Sequence, residues 1–574
     1  LARSRTKHPG RGFARTFGSQ MEQGMGSCLD RGIKVVSNAG GLDPAGCAEA
    51  VADVADRLGL SPTIAHVDGD DLMPRLADLM ATGALTELDP DAPLGPDPGR
   101  YITANAYLGC WGIVHALQAG ADIVVTGRVT DAAVVCGPAA WHHGWARDDW
   151  DSLAGAVVAG HVIECGPQAT GGNYSFFAEV PGMRRVGFPW AEVHSDGTSV
   201  IGKHDATGGE VSIGTVTSQL LYEIGPPAYL GPDVTARFDT IELTETGPDR
   251  VRISGTRGEP PPPTLKVAMN ELGGYRNDLA VALTGLDIEA KAEVAEAAFW
   301  AACPYDRADY QSVITRVVRT DKADPSSNDE ATARWSISVK DPDERKVGRA
   351  FSNAMVETAL AGIPGMYLLS GGPTAGRAYG VYRPAKIPAD RVPQRVTLLE
   401  GPGGSSETTM IESAAPAVPS PPEIVVAHRP PGARVPGPPT SRLPLGRVVG
   451  ARSGDKGGHA NLGVFTRNDP AWAWLDGFLS VERLRQLLPE TAGLEIGRYR
   501  LPAIRSLNFV IRGMLEEGVA ASTRPDAQAK SLGEWLRARV VDIPDELLDD
   551  QRGDLADRDA ARPAPVNPHG DARG

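Results

Sequence analysis

At 574 residues the chain is too long for one hydrophobic core, and two or more domains are expected from size alone. Hydrophobic residues at 41% and charged residues at 22% are the proportions of an ordinary globular protein. A formal net charge of -15 and a pI near 5.3 argue against nucleic acid as a partner.

The six cysteines, Cys28, Cys47, Cys110, Cys136, Cys165 and Cys303, form no CxxC pair and no zinc-like cluster, so they read as free thiols in a reducing compartment. No run of about 18 apolar residues occurs. The basic opening, with Arg3, Arg5, Lys7, Arg11 and Arg15, has no apolar segment behind it. Neither a signal peptide nor a membrane span is expected, and the cytoplasm is the expected location. The chain opens on Leu1, and its first thirty residues lack the strand with which an α/β domain normally begins. The expectation is that its start is truncated.

In chain order, residues 33–37 read as a short strand, 38–44 as a glycine turn, and 48–58 as a helix of apolar period 3.6. The unit repeats as a strand at 63–67, a turn with a helix cap at 68–71, and a helix at 72–80. A third cycle has a helix at 105–118, a buried strand at 122–126, and the exit turn Thr126-Gly-Arg-Val-Thr-Asp131. Residues 171–263 alternate over short spans, as at 211–216 and 250–254, and form a β-rich subregion closed by the prolines of 260–263. A helix at 288–302 and a strand at 366–369 follow. Ten prolines between 411 and 444 mark a stiff linker.

The predicted domains are an N-terminal α/β domain over 1–410, the linker 411–444, a small α+β domain over 445–545 and a disordered acidic tail over 546–574. Within the small domain, 481–488 and 527–541 read as helices and 506–511 as an apolar strand. The expected fold class is α/β: a mostly parallel sheet with flanking helices and a β-rich subregion, plus the small α+β C-terminal domain.

Three passages, Thr126–Ala133, Gly160–Gly172 and Gly208–Glu223, resemble the acyclic terpene utilisation family. The segment Ala451-Arg-Ser-Gly-Asp-Lys-Gly-Gly-His-Ala-Asn-Leu-Gly463 is similar to the ferredoxin-like domain fused to it in longer members. The resemblance implies a role in catabolism of branched isoprenoid acids carried as coenzyme A thioesters. It also implies that an opening strand and glycine-rich loop lie upstream of Leu1.

Several residues can carry chemistry. Arg128, Thr130 and Asp131 follow a buried strand, where ligands of open α/β sheets bind. Arg128 can grip a carboxylate or phosphate and Asp131 can take a proton; the alternative is a helix cap beside a structural ion pair. His161 and Glu164 share a helical face at i, i+3 as a candidate base and acid, or as a buried histidine beside an ordinary ion pair. Cys165 is a candidate thioester nucleophile or a packing cysteine.

Glycine-rich turns at Asn38, Gly40 and Gly41, at Gly171 and Gly172, at 207–209, and at Ser370, Gly371 and Gly372 let backbone amides approach an anion, or are simply tight turns. None is a dinucleotide or nucleotide-triphosphate fingerprint. Glu192, His194, Asp196, Lys203 and His204 either contribute to a cation site or decorate a solvent-facing hairpin. Arg452, Ser453, Asp455 and Lys456, with Asn461, Asn508 and Arg512, form a second anion-site candidate or a charged turn.

The leading expectation is an enzyme on a branched acyl thioester, by hydration, lyase or hydrolytic chemistry. Arg128 would anchor an anionic group, and Asp131 or Glu164 with His161 would move a proton. A non-catalytic acyl-carrier or scaffold subunit and a phosphate-ester or polyphosphate hydrolase are the alternatives. No cofactor is required, coenzyme A enters as part of the substrate, no metal-ligand set is assigned, and dependence on a divalent metal is left open. The expected partner is a small-molecule acyl thioester, and self-association is expected.

Overall fold

The computed structural model describes residues 12–360, 362–369, 374–399, 407–413 and 437–548. After the helix Thr16–Asp30, three parallel strands, Val35–Ser37, Ile64–Asp68 and Ile123–Thr126, are followed by the helices Pro44–Leu58, Leu76–Ala81 and Ala133–His143. The strands pair in parallel, with Ile123–Thr126 in the middle. Asp43 caps the first of these helices through its carboxylate on the Gly46 amide at 3.1 Å, and Gly59 closes it in the left-handed region.

Parallel pairing ends there, which corrects the expected mostly parallel sheet. The strands Gln394–Leu399 and Glu407–Ile411 extend this sheet antiparallel. Every other sheet among the described residues is antiparallel. The element that decides the architecture is the 21-residue strand Thr264–Thr284. Its first half pairs with Tyr101–Ala106 and Arg377–Pro388, and its second half with Thr332–Asp341 and Met366–Leu368. Leu265, Val267 and Met269 therefore sit in the first core, whereas Leu279, Val281 and Leu283 belong to a separate one around Trp335 and Phe351.

Between these halves the register slips at Leu272 to Gly274. A Cβ on Gly273 would stand 2.4 Å from the Tyr379 ring, and Gly274 has φ +124°, so glycine is needed at both positions of this bulge.

Two local expectations also change. Residues 101–106 are a strand, so the helix expected from 105 begins only at Trp111. The alternation at 211–216 becomes the helix Ile213–Leu220, because Ser212 and Thr215 form a reciprocal capping box. No described helix is long and apolar enough to cross a membrane.

The C-terminal unit is a four-stranded antiparallel sheet in the order Gly450–Lys456, His459–Phe465, Ser506–Ile511, Ile496–Leu501. The helices Asp469–Phe478, Val481–Leu487 and Leu532–Arg537 complete it. The helix expected over 527–541 is shorter because Val540–Pro544 turns into a strand paired with Thr440–Pro444.

Both faces of this sheet are covered. Ala460, Leu462 and Val464 fill its own core, while the alternate residues Asn461, Gly463 and Phe465 meet the larger domain. A Cβ on Gly463 would fall 2.4 Å from Leu221 Cβ, and one on Gly454 2.7 Å from the Tyr222 ring. The missing side chains let the turn at 221–225 lie directly on the sheet. Asn461 Oδ1 accepts from the Glu223 amide at 2.8 Å, and its Nδ2 donates to the Leu221 carbonyl at 3.0 Å and to Asn508 Oδ1 at 2.6 Å. Asn508 Nδ2 donates to the Gly225 carbonyl at 2.7 Å.

Asn461→Ala strips partners from the Glu223 amide and the Leu221 carbonyl at a buried interface, a loss of roughly 2–6 kcal/mol at about 1–3 kcal/mol per unpaired group. Urea unfolding of the full chain measures it, and a shift below about 0.5 kcal/mol would mean that water replaces both bonds.

Candidate functional site

The docked domains enclose a cavity of about 580 Å³. The exit of the central parallel strand supplies Arg128, Thr130 and Asp131, and the end of the helix Trp150–Ile163 supplies His161 and Glu164. The turn held by the asparagine pair brings Glu223, the long strand brings Lys266 and Asn270, and the strand Arg377–Pro388 brings Tyr382 and Lys386. The small domain contributes Asp455, Lys456, Val519 and Ala520. Leu88, Pro226, Leu230, Pro262 and Leu265 make part of the wall apolar.

Arg128 is fixed at its backbone by Asp70, whose Oδ2 accepts from the Arg128 amide at 3.0 Å and from Asn105 Nδ2 at 2.8 Å. Its guanidinium lies 4.3 Å from the Tyr107 ring centroid and 3.5 Å from both carboxylate oxygens of Asp131. Buried Nε has no hydrogen-bond partner among the described residues. Asp131 also accepts from Asn38 Nδ2 at 3.1 Å, tying together the exits of two parallel strands. The side chains of Thr130 and Asp131 do not cap the helix that follows.

His161 is 1% exposed, with its ring against Tyr229 and Phe238 at 5.5 and 5.4 Å between centroids. Nδ1 is 3.4 Å from Glu164 Oε1 without hydrogen-bond alignment, and neither ring nitrogen has a hydrogen-bond partner among the described residues. Glu223 adopts φ 54° although it is not glycine, a strained conformation that the asparagine bonds sustain. Burial, with Asp455 adding to it, raises the pKa of the Glu223 carboxyl, and burial raises that of Asp455 as well. Lys456 Nζ donates to the Glu223 carbonyl at 2.7 Å, and burial followed by the charge of Lys266 lowers its pKa to about 8.

The other expected residues lie elsewhere. Gly40 packs on the Thr126 carbonyl, and Gly171 and Gly172 pack on Val180 and the Pro167 carbonyl; with Gly41 they serve turns outside the cavity lining. Ser370, Gly371 and Gly372 lie outside the described residues. Arg452 covers the Tyr222 ring at 4.1 Å and donates to the Gln168 amide oxygen, and Ser453 Oγ accepts from the Gly533 amide. Both line a smaller cavity of about 320 Å³. Cys165 faces neither cavity, and burial raises its thiol pKa, as Glu164 does further. Glu192 and His194 to Asp196 form a polar hairpin, and Arg512 pairs with Glu495 at 3.1 Å. Among the described residues no group of three or more His, Cys, Asp or Glu is placed to hold a metal ion.

Tyr107, Glu223, Tyr229, Lys266, Tyr382 and Lys386 carry no motif and were not expected. Glu223 ends a passage that resembles the family, but its left-handed backbone depends on residues more than two hundred positions away.

The model of the acyclic terpene utilisation family protein AtuA matches residues 1–398, and that of the AtuA ferredoxin-like domain matches residues 443–542. The chain belongs to the acyclic terpene utilisation family. No curated protein and no solved structure matches it. In this AtuA-family chain the cavity draws on both matched segments, Lys386 and all lining residues before it on the first and Asp455 onward on the second.

Burial raises the pKa of Asp70 to about 6 against an ordinary value of 3.8. Its proton is held more tightly in the folded chain than in the unfolded one, so its contribution to stability falls as pH rises from about 4 to about 6. Asp70→Asn keeps an acceptor for the Arg128 amide and removes that slope. Urea unfolding at pH 4.5 and 6.5 is expected to show a smaller decline in the variant, by on the order of 2 kcal/mol; equal declines would contradict it.

Proposed function

We propose that this chain is an enzyme of acyclic terpene catabolism that hydrates a branched, unsaturated isoprenoid acyl thioester, with coenzyme A as part of the substrate. The observation that carries the reading is the convergence of Arg128 and Lys266 with Glu164, His161 and Glu223 on one cavity with a partly apolar wall. A volume of about 580 Å³ accommodates a branched acyl chain and its thioester, with Lys386 placed to meet the anionic carrier.

Glu164, with His161 Nδ1 3.4 Å from its carboxylate, takes a proton from water as the oxygen adds to the β carbon. Negative charge passes to the thioester oxygen, where Arg128 and Lys266 stabilise it. Glu223, whose pKa burial raises, returns a proton to the α carbon. The addition is redox-neutral and uses no group beyond these side chains and water.

Glu164→Gln is expected to cut kcat by about 10²–10⁴ with a smaller change in KM, read as slower loss of the conjugated thioester absorbance. Binding of the thioester without turnover by the wild-type chain would favour a carrier subunit. Neither binding nor turnover across branched acyl thioesters would sink the reading.

A further inference from the structure

Two lysines enter the same cavity from different domains. Lys456 ends the strand Gly450–Lys456, two residues beyond Gly454 on the face docked against the larger domain, and its Nζ stands 5.4 Å from the Tyr229 ring centroid. Lys266 comes from the long strand, its Nζ 5.0 Å and 5.9 Å from the ring centroids of Tyr107 and Tyr382. Among the described residues, no carboxylate oxygen lies within 4.0 Å of either Nζ.

The two are not equivalent. Burial works against the Lys266 ammonium, but Tyr382 and Tyr107 outweigh it and raise its pKa, and two aromatic faces favour the cation. Lys456 has one ring, a carbonyl acceptor and a neighbouring positive charge. Burial and Lys266 act against its ammonium more strongly than Glu223, Glu164 and Asp455 favour it, which leaves a free-amine fraction near neutral pH. A desolvated lysine beside a second cation is the arrangement that makes an amine a nucleophile toward carbonyl carbon.

We propose that Lys456 forms an imine with the carbonyl of a small anionic ketone or aldehyde held in this cavity, while Lys266 beside it stays protonated. The Nζ lone pair bonds to the carbonyl carbon, and the carbonyl oxygen leaves as water with one amine proton and one proton supplied by Glu223, so that the imine nitrogen keeps the second amine proton and Glu223 is left as the carboxylate. The protonated imine then draws electrons from the adjacent carbon, so Glu164 removes its proton to give an enamine, and return of that proton reverses the step. No electrons are gained or lost overall. A thioester carbonyl does not follow this route, so the activity stands apart from hydration and its test does not depend on it.

The test is reductive trapping of the full chain with levulinate and cyanoborohydride at neutral pH, followed by peptide mass mapping. The peptide containing Lys456 is expected to gain the mass of levulinic acid less one oxygen atom. Lys456→Arg, with an unchanged circular dichroism spectrum, is expected to lose that adduct. Lys266→Met removes the repelling cation, raises the Lys456 pKa and is expected to reduce trapping severalfold at neutral pH. Adducts confined to exposed lysines, or trapping at Lys456 unaffected by Lys266→Met, would overturn the proposal.

Discussion

The seating of the small domain on the turn at 221–225 is the constraint on which the site depends. Two buried carboxamides, Asn461 and Asn508, satisfy three backbone groups of that turn and one another. Their bonds hold Glu223 in a backbone conformation that a residue with a side chain rarely adopts. The same docking places Lys456 against the Glu223 carbonyl. Remove the small domain and the cavity loses one wall, one lysine and the support of its most strained residue.

The electrostatics of the cavity follow from what it lacks. Arg128 shares its charge between Asp131 at 3.5 Å and the face of Tyr107, and the two lysines have aromatic rings and a carbonyl rather than close carboxylates. Cations held this loosely keep attraction to spare for an incoming anion. The acids opposite are shifted the other way by burial, so at least Glu223 and Asp455 favour the protonated form more than they would in water. One chamber thus holds both anion-binding charges and groups able to give or take a proton.

What the sequence made legible is local. The three strand-turn-helix units can be read because each completes its hydrogen bonds within a short span, and Arg128, Thr130 and Asp131 follow from the position of a strand exit. The long strand Thr264–Thr284 was not legible: Lys266, Asn270, Glu271 and Asn277 interrupt its apolar pattern, since one side of its first half faces the cavity and its two halves serve different cores. The parallel sheet was over-extended for the same reason. Lys266 and Tyr382 reach the site only through that antiparallel pairing, in which Asn270 lies opposite Tyr382. At the small domain the candidates Arg452 and Lys456 lie on one face of a strand where a turn was expected, and the rise over four residues puts Arg452 on the smaller cavity and Lys456 on the larger.

The central claim is that one anionic acyl ligand binds between the two domains. Hydrogen–deuterium exchange of the full chain, with and without a branched acyl-coenzyme A thioester, tests it most directly. The account predicts that amides at 126–131, 221–230, 455–458 and 518–521 slow together on binding, because residues from all four segments line one cavity. Protection restricted to one domain, with exchange at the other unchanged, would contradict it.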